Sequence, residues 1–279
     1  MIKLTSSQNP VIKEVRSLKN KSGREERGLF FIEGSRFVGE AVKEAINAVS
    51  CAGAGILKKT ADIRYIIVSD SFLGDSDSDE LIDLCTGNGL KVYNVTDSLF
   101  KSVSDTQNPQ GVLAVLAINI DLMNKAGQKN GILVILDSIR DPGNMGTIIR
   151  TADAAGCAGV VVTPGCVDLF NPKVLRSTMG SVFHIPVLHS ASMKEAIAVC
   201  RQWGYKILAS HLDGSVSLFD ADLSGNTAFI IGSEAEGIGE DAINGADVLV
   251  RIPMDGRAES LNAAVAAGIM IYEAVRQRK

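Results

Sequence analysis

Residues 136 to 153 read Leu-Asp-Ser-Ile-Arg-Asp-Pro-Gly-Asn-Met-Gly-Thr-Ile-Ile-Arg-Thr-Ala-Asp. The segment starts at the end of an apolar run, passes through a Pro-Gly turn and continues with apolar residues at helical spacing. Asn144 occupies the position where a helix N-cap is expected. Arg150 falls outside the apolar face, so it is either a plain surface arginine or a functional one. A strand that ends in such a turn before a helix is where α/β proteins place ligands, which predicts an α/β fold with a site at this loop.

The same alternation of strands and helices continues toward the C-terminus. Nearly continuous apolar runs predict a parallel sheet that helices cover on both faces, and five such runs occur, at residues 132–136, 159–162, 206–209, 228–231 and 248–252. The first half alternates in the same way, with predicted strands at residues 29–32, 64–68, 91–95 and 112–118. Between residues 119 and 130 the pattern gives way to a polar segment. We therefore predict a first domain at residues 1–120, a linker at 121–130 and a second domain at 131–279.

Composition limits the location and the partners. The 279 residues are 46% hydrophobic and 22% charged, and no apolar run approaches the ~18 residues of a membrane span, so no membrane partner is expected. The N-terminus lacks the apolar core of a secretory signal, which predicts a cytoplasmic protein. The net charge of −4 hides a gradient, because residues 1–36 carry +4 and the remainder −8. This basic arm fits either RNA binding or a solvated helix face.

A second segment with chemical potential spans residues 229 to 239, Phe-Ile-Ile-Gly-Ser-Glu-Ala-Glu-Gly-Ile-Gly. It is again a predicted strand that breaks into glycines, but it has neither the ending of a P-loop nor the glycine spacing of a dinucleotide site. Glu234 and Glu236 would repel an anionic ligand and tolerate a cation such as a sulfonium. Glu234 could alternatively do no more than cap the following turn.

A third segment contains Ile-Pro-Met-Asp-Gly at residues 252–256 and Ser-Leu-Asn at residues 260–262, followed by a predicted helix rich in Ala and Gly. Ser260 is predicted to cap that helix. The small residues allow another backbone to pack closely, either within the chain or across a subunit interface.

Together the three segments resemble the SpoU (TrmH) branch of the SPOUT RNA methyltransferases. The shared patterns are Asp-Pro-Gly-Asn-x-Gly-x-x-x-Arg-Thr-Ala-Asp, Ile-Gly-Ser-Glu-x-x-Gly and Ile-Pro-Met-x-Gly-x-x-x-Ser-Leu-Asn, in that order. The resemblance extends to Phe-Phe-Ile-Glu-Gly at residues 30–34 and Asn-Pro-Lys-Val-Leu-Arg at 171–176, so it covers nearly the whole chain. It implies a parallel-sheet catalytic domain with a C-terminal trefoil knot, preceded by a small α/β RNA-binding domain similar to ribosomal kink-turn binders.

The resemblance also implies a cofactor and a set of site residues. S-adenosylmethionine would be held by backbone groups of Gly232, Ile252 and Leu261. The methyl-transfer site, completed across a homodimer, would be lined by Asn144, Arg150, Glu234, Ser260 and Asn262. Candidate RNA contacts are basic side chains on two predicted helices: Lys13, Arg16, Lys19, Lys173 and Arg176. No metal cluster is visible in the sequence, and the chemistry needs none.

The sequence offers no evident base to remove the proton of the ribose hydroxyl. His184, His189 and His211 lie outside the three segments, so no imidazole base is predicted. A guanidinium keeps its proton in proteins, which argues against Arg150 as the base. We favour Arg150 as a fixed cation that lowers the pKa of the ribose hydroxyl and binds an RNA phosphate, with direct deprotonation as the alternative.

The sequence therefore predicts methylation of a ribose 2′-hydroxyl in structured RNA. The two-domain layout favours 23S ribosomal RNA over transfer RNA. A catalytically silent RNA-binding protein of the same fold remains an alternative. A Rossmann-type dehydrogenase is disfavoured by the missing glycine fingerprint.

Overall fold

A computed structural model describes residues 1–51, 61–118, 130–212 and 214–279. Its helices, in chain order, are α1 Pro10–Ser17, α2 Lys21–Arg27, α3 Ser35–Cys51, α4 Ser76–Gly87, α5 Asp97–Val103, α6 Pro142–Ala154, α7 Pro172–Thr178, α8 Met193–Gln202, α9 Glu240–Gly245 and α10 Ala263–Gln277. Its strands are β1 Ile2–Leu4, β2 Leu29–Glu33, β3 Ile63–Ser69, β4 Val92–Val95, β5 Val112–Ala117, β6 Ile132–Leu136, β7 Gly159–Val162, β8 Val187–His189, β9 Lys206–Ser210, β10 Val216–Ser217, β11 Thr227–Ile231 and β12 Val248–Arg251.

The chain forms two compact units. The first contains residues 1–122 and 168–183, and the second contains residues 123–167 and 184–279. Apart from Asn130, the predicted linker at residues 121–130 lies outside the described residues. Within the described ranges, no helix is long and apolar enough to cross a membrane.

The first unit is built on a five-stranded mixed sheet in the order β1-β4-β3-β5-β2. Strand β5 runs antiparallel to β2 and β3, while β4 runs parallel to β1 and β3. Alternate residues of β2 enter different cores, because Phe30 and Ile32 pack in one apolar cluster and Phe31 in another. The sheet is thus covered on both faces, as an α/β unit requires.

A segment from the second half of the chain completes the first unit. Leu175 of α7 and Phe183 are buried in the same cluster as Phe30. The ring of Phe170 lies 4.8 Å from that of Phe30. The sequence placed residues 168–183 in the second domain, but their packing assigns them to the first unit.

A buried ion pair joins this segment to the N-terminal region. Arg24 Nη2 lies 2.5 Å from Asp168 Oδ2, with the two side chains 4% and 17% exposed. The same guanidinium donates from Nη1 to the carbonyl oxygens of Leu18 and Lys19. Arg24 therefore links helix α2 to the added segment through a cation whose three nitrogens all form hydrogen bonds, as a buried charge requires.

The second unit is built on a seven-stranded parallel sheet in the order β10-β12-β9-β11-β6-β7-β8. The predicted parallel sheet is therefore confirmed, and strand β11 lies between β9 and β6. Strands β8 and β10 were not predicted, because two or three residues are too few for a period to show.

Two predicted helix caps are wrong, each by a few residues. Asp141, not Asn144, caps α6, because its carboxylate accepts a hydrogen bond from the backbone N–H of Asn144 at 2.8 Å. Asn262, not Ser260, caps α10, since its side-chain oxygen accepts from the backbone N–H groups of Ala264 and Val265. The side chains of Asn144 and Ser260 are therefore not used as helix caps.

Candidate active site

A cavity of about 340 Å³ lies in the second unit at the carboxyl ends of β9, β11 and β12. This is the edge at which parallel α/β sheets bind ligands. Its wall consists of the three segments that follow those strands: Ser210, His211, Leu212, Ile231, Gly232, Ser233, Glu234, Ala235, Glu236, Gly237, Ile238, Arg251, Ile252, Met254, Ser260, Leu261, Ala263 and Ala266. The three predicted cofactor residues, Gly232, Ile252 and Leu261, all lie in this wall.

The glycine-rich loop after β11 closes on itself tightly. The backbone N–H groups of Ser233 and Gly237 each donate to the other residue's carbonyl oxygen, at 3.1 and 2.9 Å. A Cβ at Gly232 would lie 2.1 Å from the carbonyl oxygen of Gly237, so no side chain fits there. Gly237 itself has φ +67°, which favours glycine. The turn therefore brings main-chain groups to the cavity with no side chain in between.

Glu234 is the centre of a hydrogen-bonded cluster beside the cavity. Its Oε1 accepts from Asn262 Nδ2 at 3.0 Å and from the backbone N–H of Ala263 at 3.1 Å, and it also accepts from Asn144 Nδ2. Asn262 Nδ2 also donates to Asn144 Oδ1 at 2.9 Å. The structure thus brings together three of the five predicted methyl-transfer residues, and Ser260 lies in the cavity wall.

Two further contacts fix the glycine-rich loop against the loop after β6. Asp137 Oδ2 accepts a hydrogen bond from the backbone N–H of Gly239 at 2.8 Å. Arg140 donates from both terminal nitrogens to the two carboxylate oxygens of Glu236, at 3.0 and 3.1 Å. The negative charge of Glu236 is therefore partly balanced, whereas the carboxylate of Glu234 is bonded only to neutral donors.

Arg150 stands apart from this cluster. It is exposed on α6, and in the described part of the chain no hydrogen bond or ion pair holds its guanidinium. It follows Asn144 by six residues, about 9 Å along a helix axis, and it is absent from the cavity wall. Within one chain the structure does not bring Arg150 to the other predicted site residues.

Sequence reasoning missed the wall segment after β9. Ser210, His211 and Leu212 line the cavity, although no motif marked them and the histidines were set aside. The available signal was position, because these residues directly follow a predicted strand of the parallel sheet.

The thiol of Cys166, beside the loop after β6, is not a nucleophile. Cys166 Sγ accepts a hydrogen bond from the backbone N–H of Ile139 at 3.3 Å and donates to the carbonyl oxygen of Leu136. Burial raises the pKa of this thiol, so it stays protonated. Over the described ranges no three His, Cys, Asp or Glu side chains form a group that could hold a metal ion.

The five basic residues predicted to contact RNA all lie in the first unit. Three of their side chains already donate hydrogen bonds within the protein. Arg16 donates to Ser102 Oγ at 2.7 Å, Lys19 to the carbonyl oxygen of Ser104 at 2.6 Å, and Arg176 to Asp105 Oδ2 at 2.8 Å. Lys13 and Lys173 are exposed and form no such bond to described residues.

The second unit combines a parallel sheet, a glycine-rich cavity wall at the carboxyl edge of that sheet, and a cluster of one carboxylate and two amides. These features define an α/β domain that binds a ligand without the glycine patterns of a phosphate-binding loop. Comparison with known proteins gives its family. Residues 131–272 match the model of the SpoU rRNA Methylase family, and residues 9–114 match that of the MRM3-like substrate binding domain.

Relatives and solved structures agree with these matches. The 23S rRNA (guanosine(2553)-2′-O)-methyltransferase RlmP of Bacillus subtilis is 32% identical over 272 residues, 98% of each chain. The crystal structure of an AdoMet-bound rRNA methyltransferase from Sinorhizobium meliloti superposes with a TM-score of 0.83 at 32% identity, covering 98% of this chain and 97% of that one. The methyltransferase AviRb of Streptomyces viridochromogenes, in complex with AdoMet, has a TM-score of 0.82 at 27% identity and covers 97% and 98%.

The chain belongs to the SpoU rRNA methylase family of S-adenosylmethionine-dependent RNA 2′-O-methyltransferases. The family, activity and cofactor predicted from the three segments are therefore confirmed.

Proposed function

We propose that this protein methylates a ribose 2′-hydroxyl of 23S ribosomal RNA with S-adenosylmethionine as methyl donor. The observation that carries the proposal is the cavity in the second unit, whose wall combines Gly232, Ile252 and Leu261 with the carboxylate of Glu234. The ribosomal target is supported by relatives, since RlmP acts on 23S rRNA by its name and matches this chain over nearly its full length.

The residues present fit the cofactor. Close backbone approach at Gly232 suits the edge of an adenosine, and Ile252 and Leu261 offer apolar contact and main-chain groups. When bound, S-adenosylmethionine supplies a methyl group on a cationic sulfonium. Glu234 and Glu236 favour such a charge and disfavour a polyphosphate.

In the reaction, the ribose O2′ forms a bond to the methyl carbon while the carbon–sulfur bond breaks, and the hydroxyl proton passes to solvent. Much of the rate then comes from alignment of the two substrates. Asn144, Glu234 and Asn262 would keep the start of α6, the glycine-rich loop and the start of α10 in one arrangement. Ser260 would face the reacting groups from the cavity wall.

Arg150 would act as a fixed guanidinium that stabilises the developing oxyanion and binds the adjacent phosphate. Because it lies outside the cavity of its own chain, we propose that a second copy brings it to the site in a homodimer formed through the second unit. Helix α10 supports this, since Val265 and Tyr272, seven residues apart on one face, are each 51% exposed.

The finer features of the fold belong to the same proposal. Insertion of β11 between β9 and β6 supports a C-terminal trefoil knot that forms the cofactor cavity. The two family matches support a substrate-binding domain at residues 1–120 and a catalytic domain at 131–279. An enzyme of ribosomal RNA would act in the cytoplasm.

The direct test is incubation of the full-length protein with radiolabelled S-adenosylmethionine and separated ribosomal and transfer RNA from cells that lack it. Alkali-resistant dinucleotides from 23S rRNA are the expected product. Label in transfer RNA alone would move the target to that class. Absence of label from both, with rRNA binding retained, would identify a silent RNA-binding protein.

Arg150→Lys tests the role of the guanidinium. Lysine keeps the charge but loses the planar fork, so kcat should fall at least ~10-fold, or about 1.4 kcal/mol of barrier. Affinity for S-adenosylhomocysteine, measured by calorimetry, should not change. Near-normal turnover would rule out a specific guanidinium role.

A further inference from the structure

A second cavity, of about 250 Å³, lies wholly within the first unit. Its wall joins the start of α3 to the end of α7, two parts of the chain that are about 140 residues apart in sequence. Arg36, Phe37, Gln110, Arg176 and Met179 contribute to it. Apart from Arg176, a candidate RNA contact, none of its lining residues has a role assigned above.

The backbone around the cavity is held in unusual conformations. Gly34 has φ +107°, and Met179 has φ +51°, one of two residues other than glycine with positive φ in the described ranges. A methionine in this region is strained, and such strain concentrates at functional sites. Met179 is also 48% exposed, so burial does not explain its position.

The polar groups of the cavity are only partly used. Gln110 Oε1 accepts from the backbone N–H of Ser35 at 2.9 Å, which fixes the amide, while its Nε2 donates to no described residue. Arg36 is exposed and makes no hydrogen bond or ion pair with the described part of the chain. The site thus offers a fixed amide donor and an uncommitted guanidinium.

Two acidic residues, Glu33 and Glu40, also line the cavity, and the carboxylate of Glu33 is already satisfied. Glu33 accepts from Ser104 Oγ at 2.7 Å, from the backbone N–H of Asp105 at 3.0 Å and from Thr106 Oγ1 at 2.6 Å. These donors spread its charge, so an anion at Arg36 meets less repulsion from Glu33 than a bare carboxylate would give.

We propose that this cavity binds one nucleotide of the substrate RNA, with its phosphate on Arg36, its base edge on the amide of Gln110 and its base face against Met179. An unstacked base, read on its edge and packed against a side chain, is how proteins recognise RNA outside helices. Arg176, which is paired with Asp105 at 2.8 Å, borders the same space and offers further N–H donors. The inference rests on the proposed function, because it assigns part of that RNA to the first unit.

The experiment compares Arg36→Ala with Arg64→Ala in the full-length protein. Arg64 is a matched control, an exposed arginine of the same unit on β3, away from the cavity. Deproteinised 23S rRNA is the RNA probe in filter binding over a salt series, and S-adenosylhomocysteine is the cofactor probe in calorimetry.

Arg36→Ala should weaken rRNA binding about 10-fold and lower the salt slope by about 1, while cofactor affinity stays unchanged. Met179→Gly, which relieves the strained φ and removes the side chain, should also weaken rRNA binding without lowering the melting temperature. Equal behaviour of the Arg36 and Arg64 variants would overturn the assignment alone. Failure of the wild-type protein to bind or methylate rRNA would overturn the proposed function as well.

Discussion

The backbone leaves no room for a side chain at Gly232, in the wall of the proposed cofactor cavity. Its missing side chain leaves room for the carbonyl of Gly237, and two backbone hydrogen bonds between Ser233 and Gly237 close the loop. Glu234, two residues later, then reaches both Asn144 and Asn262 from a loop whose path is fixed. The geometry of the acid–amide cluster therefore depends on one glycine that makes no side-chain contact.

Gly232→Ala should abolish measurable binding of S-adenosylhomocysteine or weaken it more than ~10-fold, because the added Cβ would lie 2.1 Å from a carbonyl oxygen. Isothermal titration calorimetry measures this directly. Gly225→Ala is the control, since nothing lies within 4 Å of a Cβ at that position. Unchanged affinity in the Gly232 variant would show that the cavity does not hold the cofactor.

Site residues were predicted from the sequence where they belong to one of the three motifs, and they were missed elsewhere. Gly232, Glu234 and Asn262 were found because the motifs fix their spacing. His211 and Arg36 were not, because a wall residue or a rim cation looks like any other polar residue until the chain is folded.

Helix ends decide how the loops of the second unit are fixed. Asp141 starts α6 and Asn262 starts α10, and each uses a side-chain oxygen on free backbone N–H groups. Asn262 has a second task, because its Nδ2 also donates to Glu234 and Asn144. The sequence predicted both helices but misplaced both caps, since several capping residues lie close together in each motif.

Asp141→Ala should destabilise the second unit by about 1 kcal/mol through loss of the α6 cap. Ser260→Ala should leave stability within ~0.5 kcal/mol, because this exposed residue caps no helix. Urea unfolding followed by the fluorescence of Trp203, which lies in the second unit, measures both. A larger loss for the Ser260 variant would contradict the assigned caps.

The two compact units do not follow the order of the sequence, because residues 168–183 pack with the first unit. Nearly continuous apolar runs correctly predicted the parallel sheet of the second unit, because buried parallel strands carry a strong local signal. The packing of residues 168–183 with the first unit was not predicted, because Phe170, Leu175 and Phe183 look like any apolar residues and their partners are far away in sequence.

Asp168→Ala should destabilise the first unit by roughly 3–5 kcal/mol, because it leaves the buried guanidinium of Arg24 without its carboxylate. Hydrogen exchange of the β2 amides, resolved by mass spectrometry, reports on this unit separately. Asp62→Ala is the control, since it removes a partner of the exposed Arg64 and should cost about 0–1 kcal/mol. Similar exchange in the two variants would refute a central role for the Arg24–Asp168 pair.

The buried thiols predict how the folded chain responds to alkaline pH. Burial raises the pKa of Cys85 to about 11 and of Cys157 and Cys200 to about 12. The neutral thiol is favoured in the folded state, so this contribution to stability is complete below the unfolded pKa of ~8.5 and is lost as the pH rises through 11 to 12.

At pH 9, iodoacetamide should therefore modify these three residues slowly in the native protein and rapidly in urea, as followed by peptide mass spectrometry. Alkylation of Cys157 in the native state at the rate of an unfolded thiol would contradict its burial.

Because the first unit is built from two separate parts of the chain, it cannot be completed early in translation. The ribosome makes residues 1–118 long before Asp168, Leu175 and Phe183, so the nascent unit emerges with Arg24 unpaired and part of its apolar cluster uncovered. It finishes folding only after residue 183 has been added. Until then part of its apolar core is exposed to solvent, and a translational pause between residues 118 and 168 would lengthen that exposure.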